Sequence, residues 1–291
     1  MTLAAGRWPA AVPPAGAAPQ RSGTLVVYRM ELAKLSRQIR VRTIAVCAVI
    51  GPFLVVAGFH VQNATPGDTA FGQWVHTSGF AIPMVILGFA AQWIIPGLTA
   101  LVAGDIFSAE DHFGTWKTVL TRSRSRSQFF TGKFLAAVSY GLALAVILIV
   151  TDLLAGLLAG TQPVVALGGQ LVPAGHAATL EVLSYASEIP PLLAFTAVGI
   201  MLSVLTRSSV AGIGGVIALT FVLQVVTLID LPGWLQVALP STPFLAWHGF
   251  WEQPAFCTAF WWGLVTSAAW FVVCGGVSWW VFRRRTIGVA A

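Results

Sequence analysis

Side chains able to do chemistry are scarce in this chain and unevenly placed. Glu110, Asp111 and His112 stand together, and an arginine–serine run, TRSRSRSQFFTGK at 121–133, follows closely. Asp152 is alone in a long apolar stretch, while His60, His76, His176 and His248 are scattered. None of this composes a catalytic or metal motif. HExxH is absent, and the nearest fragment to a phosphate-binding GxxxxGK[ST] loop is Gly132-Lys133. Phe134 follows it, and Ser127 occupies the place of the first glycine. Cys47, Cys257 and Cys274 fall inside or at the edge of apolar runs with no CxxC pair, and read as small packing residues. The expectation is a chain without catalytic residues, metal ligands or a cofactor of its own.

The elements that carry these residues are membrane spans. Of 291 residues 57% are hydrophobic and only 9% charged, against ~25% in ordinary soluble domains. Mean hydropathy is +0.82, and several uncharged runs exceed the ~20 residues that cross a hydrocarbon core. Six spans are predicted: Thr43–Phe59, Phe80–Val102, Phe134–Leu158, Ile189–Leu205, Val210–Ile229 and Phe256–Phe282. Pro83 and Pro96 are expected to kink the second. Residues 160–183, with Pro163, Pro173 and several glycines, read as a loop. Residues 1–23 read as a disordered cytosolic tail, and 286–291 as a short cytosolic C-terminus.

Charge orients the spans. With six spans and a cytosolic N-terminus, the inner segments 1–42, 103–133, 206–209 and 283–291 hold seven, five, one and three of the sixteen Lys and Arg. The outer loops hold none, as positive residues on the cytoplasmic side require. A seventh helix at 160–183 would put Arg283, Arg284 and Arg285 outside. The net charge of +6 is therefore a topological signal in contact with anionic lipid. No nucleic-acid-binding domain or aromatic platform accompanies the Arg–Ser run, so nucleic acid is not a partner.

Two cytosolic segments are organised beyond what topology needs. In 24–42, Tyr28, Leu32, Leu35 and Ile39 follow 4-3-4 spacing, which predicts an amphipathic helix with one apolar stripe facing the acyl boundary. In 105–123, Ser108 and Asp111 have capping-box spacing, predicting a helix from about Ala109 to Leu120. Phe113, Trp116 and Leu120 would share one face of it, fit for lipid or for the groove of a cytosolic protein.

The run AEDHFGTWKTVLTRSRSRSQFFTGK resembles the coupling segment of permeases in the type-2 ABC exporter family. The matching positions are Glu110, Gly114, Thr115, Leu120, Ser125, Arg126 and Lys133. Where that family often has proline and an aliphatic residue before Ser-Arg, this chain has Ser123 and Arg124. ELAKLSRQIRVR resembles the family's N-terminal elbow helix, with Glu31, Lys34 and Leu35 at familiar places. PGWLQVALPSTPFLAWHGFW, 232–251, lies where the family folds short re-entrant helices. The likeness covers about residues 24–285.

The resemblance implies an all-α integral membrane fold of six transmembrane helices, with the elbow helix before them and a cytosolic coupling helix between helices 2 and 3. It implies a cell-membrane exporter for hydrophobic or amphipathic cargo, driven by a separate ATPase subunit that binds the ATP and Mg. That subunit would dock through Glu110, Asp111, Phe113, Gly114, Thr115, Trp116 and Leu120, and a second permease chain would complete the unit. The alternative is an ion-coupled secondary transporter. For that reading Asp152, the one acid inside a predicted span, is expected near the outer headgroups. Gly156 and Gly160 form a GxxxG pair open to a contact within the chain or between chains.

Overall fold

The computed structural model describes residues 23–62, 65–67, 69–114, 125–226 and 229–285. The predicted tails, and Thr115, Trp116 and Leu120, lie outside the described residues. Six helices are long and apolar enough to cross a membrane: Ile39–Val61, Ala81–His112, Arg126–Ala159, Ala174–Thr206, Ser209–Val226 and Thr258–Arg284. The chain is an all-α, multi-pass membrane protein, with one two-stranded hairpin besides.

The element order begins with α1 (Gly23–Arg37), then α2 (Ile39–Val61), the first span. The second span is composite: α3 (Ala81–Phe89), a π-helical turn (Ala90–Ile94), α4 (Ile95–Ala103) and, after a turn, α5 (Ser108–His112). The π turn is the predicted kink. Pro96 has no N–H for the carbonyl of Gln92 and its ring crowds that carbonyl, so the turn before it widens. Ile95 N–H accordingly bonds the carbonyl of Ala90, five residues back. The third span, α6 (Arg126–Ala159), is 34 residues long, or about 51 Å. It overshoots a hydrocarbon core of ~30 Å and so extends well beyond it.

Residues 160–183 are not the loop expected. β1 (Val164–Val165) and β2 (Leu171–Val172) form a hairpin, and α7 (Ala174–Ser187) runs into α8 (Ile189–Thr206) as one long span. The prolines that argued against a helix lie where they cost nothing. Pro163 precedes the hairpin and Pro173 is the N-cap of α7. Pro190 and Pro191 instead mark the single turn at Glu188 that divides α7 from α8. The count of six survives because this helix extends the fourth span rather than adding one.

α9 (Ser209–Val226) follows as the fifth span, then α10 (Gly233–Ala238), a 3-10 stretch (Thr242–Trp251) and the sixth span α11 (Thr258–Arg284). The two short pieces fold back along α11: Thr266 and Trp270 donate to the carbonyls of Val237 and Ala238. Phe244, Trp247 and Trp251 are wholly buried beneath them, and Trp251 Nε1 donates to Ser184 of α7. The second and fourth spans form the centre, whereas the first, fifth and sixth are mostly exposed.

The GxxxG pair makes an internal contact. A Cβ on Gly79 would stand 2.3 Å from the Gly156 carbonyl oxygen and 2.4 Å from that of Gly160. Gly79→Ala should therefore cost about 1–3 kcal/mol through overpacking. Gly214→Ala, with nothing within 4 Å of the added carbon, should be neutral or gain slightly from helix propensity. Monodisperse protein surviving heating in detergent, read by size exclusion, measures both.

Candidate functional site

The charged residues singled out by sequence converge at one end of the bundle, and Lys133 is their centre. It sits two turns into α6, with 0% of its surface exposed. A buried ammonium is tolerated only if its donors are all taken. Three acceptors are present: Glu31 Oε1 at 2.9 Å, Glu110 Oε1 at 3.1 Å and the Ile106 carbonyl at 3.0 Å. They come from α1, α5 and the turn between α4 and α5. Glu110 also takes Lys34 Nζ at 2.6 Å. Burial would lower the pKa of Lys34, but the bond to Glu110 and the charges of Glu31, Glu110 and Asp105 outweigh it and hold it above the ordinary lysine value.

Two further pairs extend the network. Arg40 at the start of α2 bonds Asp105, and Arg285 at the end of α11 bonds Asp111. Four cations and four carboxylates thus tie α1, α2, the Asp105–His112 segment, α6 and α11 together. Beneath them Phe107, Phe130 and Phe282 form a triangle of rings, with centroids 5.3, 5.4 and 5.7 Å apart. One ring comes from each of the second, third and sixth spans. Charge layer and apolar layer clamp the same elements.

Local sequence explains how the pieces are presented. Ser125 and Gln128 form a reciprocal capping box at the start of α6, so Lys133 is held at a fixed depth. Gly132, beside it, lets α1 lie close: a Cβ there would stand 2.7 Å from Val27 Cγ1. The buried face of α1 is Val27, Glu31 and Leu35, rotated from the predicted stripe. Tyr28 and Leu32 are half-buried, and Tyr28 meets Ser139 at 2.9 Å. Ile39 lies beyond a break at Gln38, begins α2 and is exposed. The stripe missed Glu31 because apolar periodicity cannot see a carboxylate buried by pairing.

The start of the segment after the second span differs from the prediction. A five-residue helix, Ser108–His112, ends before Gly114 at φ +62°, and residues 115–120 of the predicted helix lie outside the described residues. The Ser108–Asp111 capping box does not form. Ser108 Oγ bonds the Gly104 carbonyl, and Ser203 of the fourth span accepts from the amides of Phe107 and Ser108. Ser203 carries no local sequence signal, since its partners are about 95 residues away. Glu110 is 6% exposed and Asp111 is bound to Arg285, so both carboxylates are engaged inside the fold, while Phe113 is 73% exposed. Arg126 does not join this segment but donates to the carbonyls of Arg283 and Arg285 at the end of α11.

At the opposite end, Asp152 is not at a solvated edge. It is fully buried, as are Glu181 and Glu188, and all three lie within electrostatic reach of Tyr185. Tyr185 donates to the Pro83 carbonyl and its hydroxyl also faces Asp152, whereas Glu181 and Glu188 have no hydrogen-bond partner among the described residues. His60 and His76 line one polar cavity, but among the described residues no three His, Cys, Asp or Glu gather as metal ligands. A second cavity, about 250 Å³, lies between the second span and the 3-10 stretch, against Met84, Phe89, Gln92, Trp93 and Trp247.

Lys133→Met should cost about 3–5 kcal/mol, because Glu31 is left buried without its ion pair while Glu110 keeps Lys34. Pairing it with Glu31→Leu should recover part of that loss, and thermal unfolding of both singles and the double gives the coupling.

Comparisons with known proteins follow the same boundaries. Residues 46–287 match a family described as "Protein of unknown function (DUF2705)", a stretch that takes in all six spans except the start of the first. An "Uncharacterized protein YhcI" of Bacillus subtilis (strain 168) is 26% identical over 167 residues, covering 54% of this chain. The chain spans about half the length of that relative.

Proposed function

The chain belongs to the DUF2705 family, and from its own geometry we propose that it is the permease subunit of an ABC-type exporter of the type-2 class. A separate ATPase, carrying the ATP and Mg, would dock at the connection between the second and third spans. The observation that carries this reading is the Lys133 network. A push on the Asp105–Gly114 segment cannot stay local, because Glu110 is held by Lys133 and Lys34 while Asp111 is held by Arg285. Force arriving there is delivered at once to α1, α6 and α11.

Roles divide accordingly. Glu31, Lys34, Glu110, Asp111 and Lys133 act as internal fasteners; Phe113, with Thr115, Trp116 and Leu120 beyond it, forms the docking surface. α1 takes the part of an elbow helix, and both termini are cytoplasmic in the cell membrane. Exposed apolar side chains on the fifth span, Ile217, Phe221, Val222 and Val225, suit a second permease chain. The cavity beside Trp93 and Trp247, which Gln92 and His248 also line, suits amphipathic cargo.

One observation favours a second reading, ion-coupled transport. Asp152, Glu181 and Glu188 are buried inside spans, the two glutamates without a hydrogen-bond partner among the described residues, and acids so placed mark ion paths in many transporters. Purification from native membranes separates the two. Under the exporter reading a protein with a nucleotide-binding P-loop copurifies, and deletion of residues 109–120 releases it. Absence of any such ATPase, or its retention by the deletion, overturns that reading. Proton uptake by vesicles carrying the chain alone, abolished by Asp152→Asn, would establish the second.

Orientation has an independent check. With Cys47 and Cys274 replaced by alanine, Cys257 at the start of the sixth span, exposed in the structure, should react with an impermeant maleimide in intact cells. Phe113→Cys, in a chain without native cysteines, should react only after lysis. The reverse pattern inverts the topology.

A further inference from the structure

A groove of about 260 Å³ runs between the third and sixth spans on the outer surface of the bundle. Its walls are apolar: Phe130, Phe134 and Leu135 on α6, and Phe271, Gly276 and Trp279 on α11. From Phe271 to Trp279 the wall is eight residues, about 12 Å. An approaching helix is about 10–12 Å across, too broad for a slot of this volume. A single acyl chain is not.

The groove opens onto unmatched positive charge. One turn beyond Phe130 stands Arg126, and one turn beyond Trp279 stands Arg283. Arg283 folds back so that its guanidinium lies 4.6 Å over the Trp279 ring, which lines the groove, and Arg284 lies 4.5 Å over Trp280. Arg126 bonds the carbonyls of Arg283 and Arg285, which brings it to the same mouth. Among the described residues none of these three arginines has a carboxylate partner, and Asp111, the acid of this corner, is bound to Arg285. Trp–Arg stacking and a row of cations at the end of a span belong to the depth of lipid headgroups.

We propose that this groove is a binding site for an anionic phospholipid, with one acyl chain between the third and sixth spans and the phosphate at Arg283 and Arg126. The apolar slot alone would accept any lipid; the arginines select by headgroup charge. The inference stands apart from the partner ATPase, since it uses no residue of the Lys133 network.

The test uses the full chain in phosphatidylcholine vesicles doped with phosphatidylglycerol that carries a diazirine on its acyl chain. A phosphatidylcholine bearing the same diazirine serves as reference. After illumination, labelled peptides are located by mass spectrometry, and those carrying Leu54 on the first span, 65% exposed, report ordinary boundary lipid. Peptides carrying Phe130–Leu135 and Phe271–Trp279 should take roughly tenfold more label from phosphatidylglycerol than from phosphatidylcholine. Arg126→Gln with Arg283→Gln should bring that ratio near one. Gly276→Leu, whose new side chain enters open space, should exclude both lipids from the groove while Leu54 labelling is unchanged. Equal labelling by the two lipids in the unaltered chain overturns the headgroup selection. Groove peptides left unlabelled, as a second copy covering them would leave them, overturn the site itself, as does labelling that Gly276→Leu fails to reduce.

Discussion

A lysine ammonium sealed from water governs the basic end of this bundle. Leaving Lys133 buried without acceptors would be prohibitive, and one helix cannot supply three of them. The acceptors therefore come from elements far apart in sequence, and those elements can pack in one way only. Glu31 fixes the rotation of α1, Glu110 fixes the descent of the segment after the second span, and the Ile106 carbonyl fixes the turn between them. Each is also buried by the arrangement it creates. Replacing such a cluster with apolar side chains could leave stability unchanged, so stability alone does not explain its presence. What an ionic cluster supplies is uniqueness of geometry, which the proposed coupling role would need.

The spans were legible because lipid leaves a chain few options. Every backbone amide in the hydrocarbon must be paired within its own helix, so length and hydropathy locate six spans to within a few residues at most ends. The exception is instructive. Residues 160–183 carry Pro163 and Pro173, which read as breakers, yet in place they lie before a hairpin and at a helix N-cap. A proline's effect depends on its offset from the first turn, and composition does not carry that offset. Charge counting still gave the right number of spans, because it tests the sum of the loops and not the form of any one.

The site was legible only in part, and the division is physical. Residue types were visible: Glu31, Lys34, Glu110 and Lys133 were all marked by their match to the elbow and coupling segments that the chain resembles. Their pairing was not, because partners such as Lys133 and Glu31 are about a hundred positions apart. Burial was hidden for the same reason. Glu110 was marked by resemblance to a coupling segment and Asp152 placed by counting residues along its span, and neither approach shows that both are buried. Glu181 and Glu188 escaped notice because the helix carrying them was read as a loop at its start. Ser203, which receives two amides of the second-span segment, has no signal that a single sequence could provide.

Charge at the basic end sorts into two populations with different consequences. Lys34, Lys133, Arg40 and Arg285 are matched by Glu31, Glu110, Asp105 and Asp111, and their summed charge vanishes. They add little to attraction for a lipid surface and act at contact distance, and at Lys133 and Glu31 burial keeps salt from screening them. Arg126, Arg283 and Arg284 have no carboxylate partner among the described residues, nor have Arg29, Arg37 and Arg42 on the first two helices, but the first three stand together at the end of the third and sixth spans. The acids lie where helices must meet, and three of the cations left over stand where two spans part to form a slot. The same scarcity of charge that identifies a membrane protein thus divides its few ions between holding the fold and addressing the bilayer.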